Sequence, residues 1–392
     1  MLFSLSGYFH QILMPSVREA LDSVERHLER HPDDAHAWNS KGVLLAQLEE
    51  FGDALRSFEK AITLNPGLTE AHLNKGRILL SIGPDNAEKA LSSFQSVLEM
   101  SPENAMALQD AAQAFRSLGE REQELSLLER LLRVAENTTP VLLRMGNIHL
   151  ESGRFDESLV YYNKVLEDDE KLVPALLHRA IAYSMIGDWK NARNSADKAR
   201  KIAPGNIEAW RVLADVNLRA GRNRTALKAL EKASEIDPSD ANVENTMGMV
   251  EYKERRLKDA EKHFKRAIIR DREHIRALRN LALVSMELEK WRQAVKAWKR
   301  YLSIENDDPD AYDALATANA RLEDFCAAAK AWQRARKIFK RKNHDSEASR
   351  VTQLGRAARI NCSRQKEAER EARKDEKATR SFSDRFRLRE KK

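Results

Sequence analysis

Residues 35–68 read AHAWNSKGVLLAQLEEFGDALRSFEKAITLNPGL. Apolar and small side chains recur here every three to four residues on either side of the polar turn LEEFGD, a pattern that predicts two short amphipathic helices. The proline near the end stops the second helix, because it lacks an N–H and restrains the residue before it. Laid in rows of 34 from Ala35, the rest of the chain repeats the same residue types in the same columns. The first row carries Trp38 in column 4, Gly42 in 8, Ala54 in 20, Phe58 in 24, Ala61 in 27 and Pro66 in 32.

The second row keeps Gly76 in frame, but Ala90, Phe94 and Pro102 arrive two residues late, after an insertion in the turn SIGPDN. Turns tolerate added length at small entropic cost. Later rows hold the frame through Leu108, Ala112 and Leu128, then Gly146 and Tyr162, then Ala180, Ala192, Ala199 and Pro204. Trp210, Ala214, Ala226, Ala233 and Pro238 follow, then Gly248, Ala260, Phe264 and Ala267, then Ala282, Ala294 and Trp298, and last Ala316, Ala328, Trp332 and Ala335. Small residues in column 8 allow two helices to approach closely, and large ones in column 24 fill the space beside them. One such hairpin cannot bury both faces alone, so neighbouring hairpins must stack.

These columns resemble the tetratricopeptide-repeat family. The resemblance implies an all-α fold, a right-handed α-solenoid of stacked helical hairpins. It divides the chain into a degenerate half repeat over 1–34, nine repeats over 35–342, a capping helix over 343–360 and a charged tail over 361–392. VREALDSVERHLERHP, at 17–32, reads as the second helix of that half repeat. Residues 1–14 are uncharged, with Leu2, Leu5, Phe9 and Ile12 at helical spacing; they serve as a first helix, or translation begins at Met14. The stretch is too short to cross a membrane and lacks a basic leader, so neither a membrane nor a secretory role is expected.

Composition narrows the class. A 33% charged content with 14 Gly and 10 Pro in 392 residues suits a helix-rich, soluble protein, and the resemblance implies a cytoplasmic one. Residues 330–342 hold seven basic residues and no acid, and 343–392 hold fifteen basic against nine acidic, which leaves the remaining body mildly acidic. Such a basic end can seek acidic protein, nucleic acid or anionic lipid. From Arg364 the tail is charged all round, an exposed helix or disordered, and SFSDRFRLREKK at its end reads as a docking or RNA-contacting peptide or as a disordered end without a role. Cys326 and Cys362 lie far apart in no Cys-x-x-Cys or Cys/His cluster, so the sequence encodes neither a disulfide framework nor a zinc site, and both read as structural or free thiols.

No phosphate loop, zinc-protease, nucleophile-elbow or dinucleotide motif occurs, so the chain is expected to be neither an enzyme nor a cofactor carrier. His27 and His31 have ligand-like spacing but no third ligand, and no metal is expected. Function is therefore expected from binding. The resemblance implies a scaffold or adaptor in which first helices line a concave groove, with contacts at columns 2, 5, 6, 9, 12 and 13. Those columns give Asn74, Arg77, Arg144, Asn147, His178, Arg211, Asn245, Arg276, Arg279 and Asn280, donors that suit carboxylates and backbone carbonyls of an acidic protein or peptide. The family's carboxylate clamp for chaperone tails is not matched: Asn74 fits, but Asn39, Val43, Met106 and Asp110 occupy its other positions.

Overall fold

The structure is a computed structural model that describes the backbone of residues 3–389 and the side chains of 16–374. Leu2 and the side chains of Leu5, Phe9 and Ile12, like those of 381–392, lie outside the described residues; along the backbone the expected first helix runs on without a break into the second, as one helix Phe3–Arg30. No strand occurs among the described residues, and the chain divides into two compact units, 1–188 and 189–392. Unit 1 contains α1 (Phe3–Arg30), α2 (Ala35–Gln47), α3 (Phe51–Leu64), α4 (Thr69–Ile82), α5 (Ala87–Met100), α6 (Ala105–Leu118), α7 (Arg121–Val134), α8 (Thr139–Glu151), α9 (Phe155–Asp168) and α10 (Val173–Met185). Unit 2 contains α11 (Trp189–Ile202), α12 (Ile207–Arg219), α13 (Asn223–Ile236), α14 (Ala241–Lys253), α15 (Leu257–Arg270), α16 (Ile275–Glu287), α17 (Trp291–Ile304), α18 (Pro309–Arg321), α19 (Phe325–Arg341) and α20 (Asp345–Arg389). From α2 to α19 the even-numbered helices are the first of each row and the odd-numbered the second.

Column 8 and column 24 meet within one hairpin. A Cβ added at Gly42 would stand 2.5 Å from the Phe58 ring, and one at Gly76 would stand 2.4 Å from the Phe94 ring. Gly146 meets Tyr162 and Gly248 meets Phe264 in the same way. The aromatic ring thus occupies the volume of the missing side chain, and each ring is almost wholly buried.

Column 15 fixes the turn. Glu49, Gly119, Gly153, Gly187, Gly221, Arg255, Glu289 and Glu323 all have φ between 56° and 82°. The next N–H then reaches back to the column-11 carbonyl at 2.7–3.0 Å, as in Glu50 to Leu45, Arg222 to Asn217 and Lys290 to Ser285. This left-handed closure satisfies carbonyls that the helix end leaves open. Glycine adopts it freely, whereas Glu49, Arg255, Glu289 and Glu323 take it at a cost of about 1–2 kcal/mol each. The insertion in row two replaces this closure with a short 3₁₀ turn, Pro84–Asn86.

The other ends are fixed by side chains. Asp34, Asn104, Asn206, Asp240 and Asp308 accept backbone N–H bonds at the starts of α2, α6, α12, α14 and α18. In column 4 the Trp38 and Trp210 indoles each donate to the carbonyl of the proline six residues earlier, at 2.8 Å.

The reading of the two cysteines as unpaired is corrected. Antiparallel packing of α20 on α19 brings their Cα atoms to 4.9 Å, and Cys326 and Cys362 form a disulfide across 36 residues of sequence. Contacts with the preceding helices continue past residue 360: Gln365 donates to the Glu323 carbonyl at 2.9 Å. The buried apolar stripe of α20 comprises Ala348, Val351 and Ala358.

Candidate functional site: the first-helix faces

In unit 1 the groove-column donors are largely engaged within the protein. Asn74 donates to Asn39 Oδ1 at 3.0 Å, linking column 5 of one first helix to column 6 of the next. Arg77 Nε donates to Asp110 at 2.6 Å; burial pushes the Asp110 carboxyl above its ordinary range despite that cation. Asn147 accepts from the Tyr162 hydroxyl at 2.8 Å, and burial raises that phenol well above its ordinary value. His178 lies beside the same ring, with centroids 5.8 Å apart.

Arg144 is held most firmly. Its Nε and Nη2 donate to the two oxygens of Glu124 at 2.6 and 2.7 Å, while Nη1 reaches Glu151 at 3.3 Å. Arg116 adds a further bond to Glu124 at 3.0 Å. Glu124 is fully buried and stands in column 20, where other rows place Ala54, Ala90 or Ala192. A buried carboxylate requires such pairing. Sequence reasoning missed this group, although a glutamate in an alanine column was the available clue.

Above this cluster, between α6, α7 and α8, lies a cavity of about 650 Å³. Its apolar lining includes Leu128, Leu131 and Val141, and its polar lining includes Gln109, Asp110, Gln113, Arg116 and Arg144. These polar residues fall in columns 5, 6, 9, 12 and 6, the columns expected to meet a ligand.

In unit 2, Asn280 donates to Asn245 Oδ1 at 3.0 Å, repeating the Asn39–Asn74 arrangement. Arg211 pairs with Glu208 at 3.2 Å. Arg276 and Arg279 are exposed and form no ion pair among the described residues. Met249 and Leu283, both in column 9, are exposed beside them at 52% and 38%. Buried carboxylates recur here too. Burial would raise Glu244, but a hydrogen bond with His263 at 2.7 Å and the charges of Arg270 and Arg266 hold it below its ordinary range. Glu261 is likewise raised by burial, yet Lys265, Lys290 and Gln293 outweigh that and lower it to about 2.

His27 bonds Asp34 at 2.9 Å, and no group of three or more potential metal ligands occurs among the described residues. Among those residues, no helix is long and apolar enough to cross a membrane.

These paired helices, with glycine against an aromatic ring and a polar first-helix face, define a tetratricopeptide-type interaction module. The chain belongs to the tetratricopeptide-repeat proteins and, over residues 107–354, to the family described as the cilia and flagella-associated protein 70 C-terminal domain; a tetratricopeptide-repeat model also matches residues 16–69. Among curated relatives, anaphase-promoting complex subunit 7 of Dictyostelium discoideum is 27% identical over 211 residues, covering 53% of this chain and 35% of that protein. Human DnaJ homolog subfamily C member 3 is 25% identical over 176 residues, covering 41% of this chain and 34% of that protein. The chain thus spans about a third of the length of these relatives. Yeast Tom70 shares the fold with a TM-score of 0.50 at 14% identity, over 92% of this chain and 88% of that one. A tetratricopeptide repeat protein from Parabacteroides merdae does so at 0.50 and 21%, over 64% and 98%. Tetratricopeptide-repeat proteins in general mediate protein–protein interactions and are generally non-enzymatic.

Proposed function

We propose that this chain is a non-enzymatic cytoplasmic scaffold that holds a segment of a partner protein on its first-helix faces. The observation that carries this reading is the 650 Å³ cavity between α6 and α8, because an apolar floor ringed by groove-column polar groups has room for several side chains of a bound segment. Gln109 and Gln113 are exposed at its mouth and can hydrogen-bond that segment's backbone. In unit 2, Arg276 and Arg279 lack acidic partners among the described residues, which favours a segment carrying carboxylates. The proposed division keeps a half repeat over 1–34, nine repeats over 35–342 and a basic tail, with the cap lengthened from 343–360 to include Cys362 and Gln365.

The test fills the cavity from its exposed rim. Gln113→Trp should leave circular dichroism and melting unchanged while removing the partners that the wild-type chain captures in affinity purification with mass spectrometry. Arg276→Glu with Arg279→Glu should do the same for acidic partners. Undiminished capture by both variants would overturn the reading.

A second reading has its own observation. Between α19 and α20 a pocket of about 160 Å³ is lined by Arg336, Arg356 and Arg359 with no carboxylate, and such a cluster suits a phosphate of nucleic acid. A salt-dependent mobility shift with RNA or DNA, lost on Arg356→Glu, would support it.

A further inference from the structure

The second helices of unit 2 carry a feature that the first-helix reading does not use. Between α15 and α17 lies a slot of about 510 Å³, floored by Leu278 and Leu281 of α16 and walled by Ile268, Ile269 and Ala297. Ile269 is 78% exposed, the most exposed large apolar side chain among the described residues. Lys265, Arg292, Lys296 and Arg300 stand around it, and no carboxylate lines the slot. Lys265 pairs with Glu261 at 2.7 Å, and Arg300 donates to the Arg272 carbonyl at 2.5 Å. Arg292 and Lys296 are exposed and form no ion pair among the described residues. All of α17 holds four cations and no acid.

Unit 1 supplies an internal comparison. The corresponding slot, formed by α5, α6 and α7, measures only about 340 Å³. Once the insertion in row two is allowed for, Glu99 there stands in the same column as Ile269, and Leu127 in the same column as Ala297. One slot is thus narrowed by a leucine and faced by a charge. The other is opened by an alanine and faced by an isoleucine among cations. An exposed apolar patch with a charged rim gains by being covered. Its place between two second helices, over the first helix that joins them, suits a further helix laid into the groove.

We propose that this slot docks an acidic amphipathic helix of a partner protein, with its aliphatic stripe over Ile269 and Leu281 and its carboxylates toward Arg292 and Lys296. A peptide helix fits the lining better than nucleic acid does. Single strands bind by stacking bases on aromatic rings as well as by charge, and every apolar residue lining this slot is aliphatic.

The test begins with displayed random peptides of about 16 residues, some four helical turns, selected on the full chain. Recovered peptides are then measured by fluorescence anisotropy. The expected winners carry aliphatic residues at i, i+3 or i+4, and i+7 with Asp or Glu on both flanks. Their affinity should fall with salt, and Ile269→Glu, like Arg292→Glu with Lys296→Glu, should weaken it about tenfold or more at unchanged circular dichroism. Winners without this pattern, or winners that bind Ile269→Glu as tightly as wild type, would overturn the proposal. A uridine oligonucleotide that binds wild type and loses affinity in the same variants, with no such effect on peptides, would assign the surface to nucleic acid instead.

Discussion

Replacing Gly248 by alanine asks whether the column-8 glycines are there for space or by chance. In α14 the substitution by itself favours the helix by about 1 kcal/mol, since alanine loses less backbone entropy. Against that, the new Cβ would lie 2.6, 2.7 and 3.1 Å from Cε1, Cδ1 and Cζ of Phe264. Carbon atoms sit comfortably at about 3.5–4.0 Å, so the ring must retreat by roughly 1 Å as a body. Phe264 is 1% exposed and belongs to the same core cluster as Leu278, Leu281 and Ala282, so its retreat pushes on α16. That places the overpacking near the upper end of the usual range, about 3 kcal/mol, for a net destabilisation of about 2 kcal/mol. A repeat array need not unfold in two states, so the assay is hydrogen exchange of amides in α14 and α15 alongside thermal melts. Exchange there should quicken roughly 30-fold, the equivalent of that free energy. Gly52, in the first turn of α3, has nothing within 4 Å of an added Cβ, so Gly52→Ala should stabilise by roughly 0.5 kcal/mol. Stabilisation by both substitutions would refute the packing argument.

Glu124→Ala should cost about 2 kcal/mol in melts, below the 3–5 typical of a broken buried pair, because Arg144 and Arg116 keep some access to water. Arg144→Leu in that background should recover part of it, measured as a double-mutant cycle. The Glu261 carboxyl is lowered from 4.5 to about 2, so the folded state binds fewer protons than the unfolded one. Its contribution is therefore fully present above pH 4.5 and is lost as pH falls from there toward 2; Glu261→Gln should flatten that part of a stability–pH profile. A thiol assay on the oxidised protein should find no reactive cysteine, and two after reduction. Cys326→Ser with Cys362→Ser should speed exchange in the first half of α20, with a ceiling of about 4 kcal/mol set by the 36-residue loop. In a thiol-rich compartment the reduced form is the one to compare.

The frame of the fold was legible because it depends on nearest neighbours: Gly42 and Phe58 face each other across one hairpin, so a fixed spacing encodes the contact. Membership of the tetratricopeptide class followed from the same columns. The candidate site was legible only by column. Asn74 and Asn280 stand where the rows put them, each bonded to an asparagine of the preceding first helix. Arg144 stands in a groove column as an open donor would, but its partner, Glu124, comes from a second helix in a column expected to hold alanine. The cysteine pairing escaped for a related reason. It depends on how α20 folds back on α19, beyond the end of the repeating pattern. The slot beside Ile269 required two substitutions, at columns 23 and 29, that mean little until both helices are in place.

The left-handed residue in column 15 governs how such a chain can grow. Every hairpin but that of row two is closed by one residue in one conformation, so helix lengths of 13 and 14 residues recur unchanged from α8 to α18. Adding or deleting a few residues anywhere else would swing column 8 away from column 24 and strand the ring against a helix backbone. Length can therefore change cheaply only by copying or losing an entire hairpin with its turn, or at a turn rebuilt for the purpose, as happened at residues 83–86. A new copy arrives with its cap already formed, and its outward columns are then free to diverge toward a different ligand.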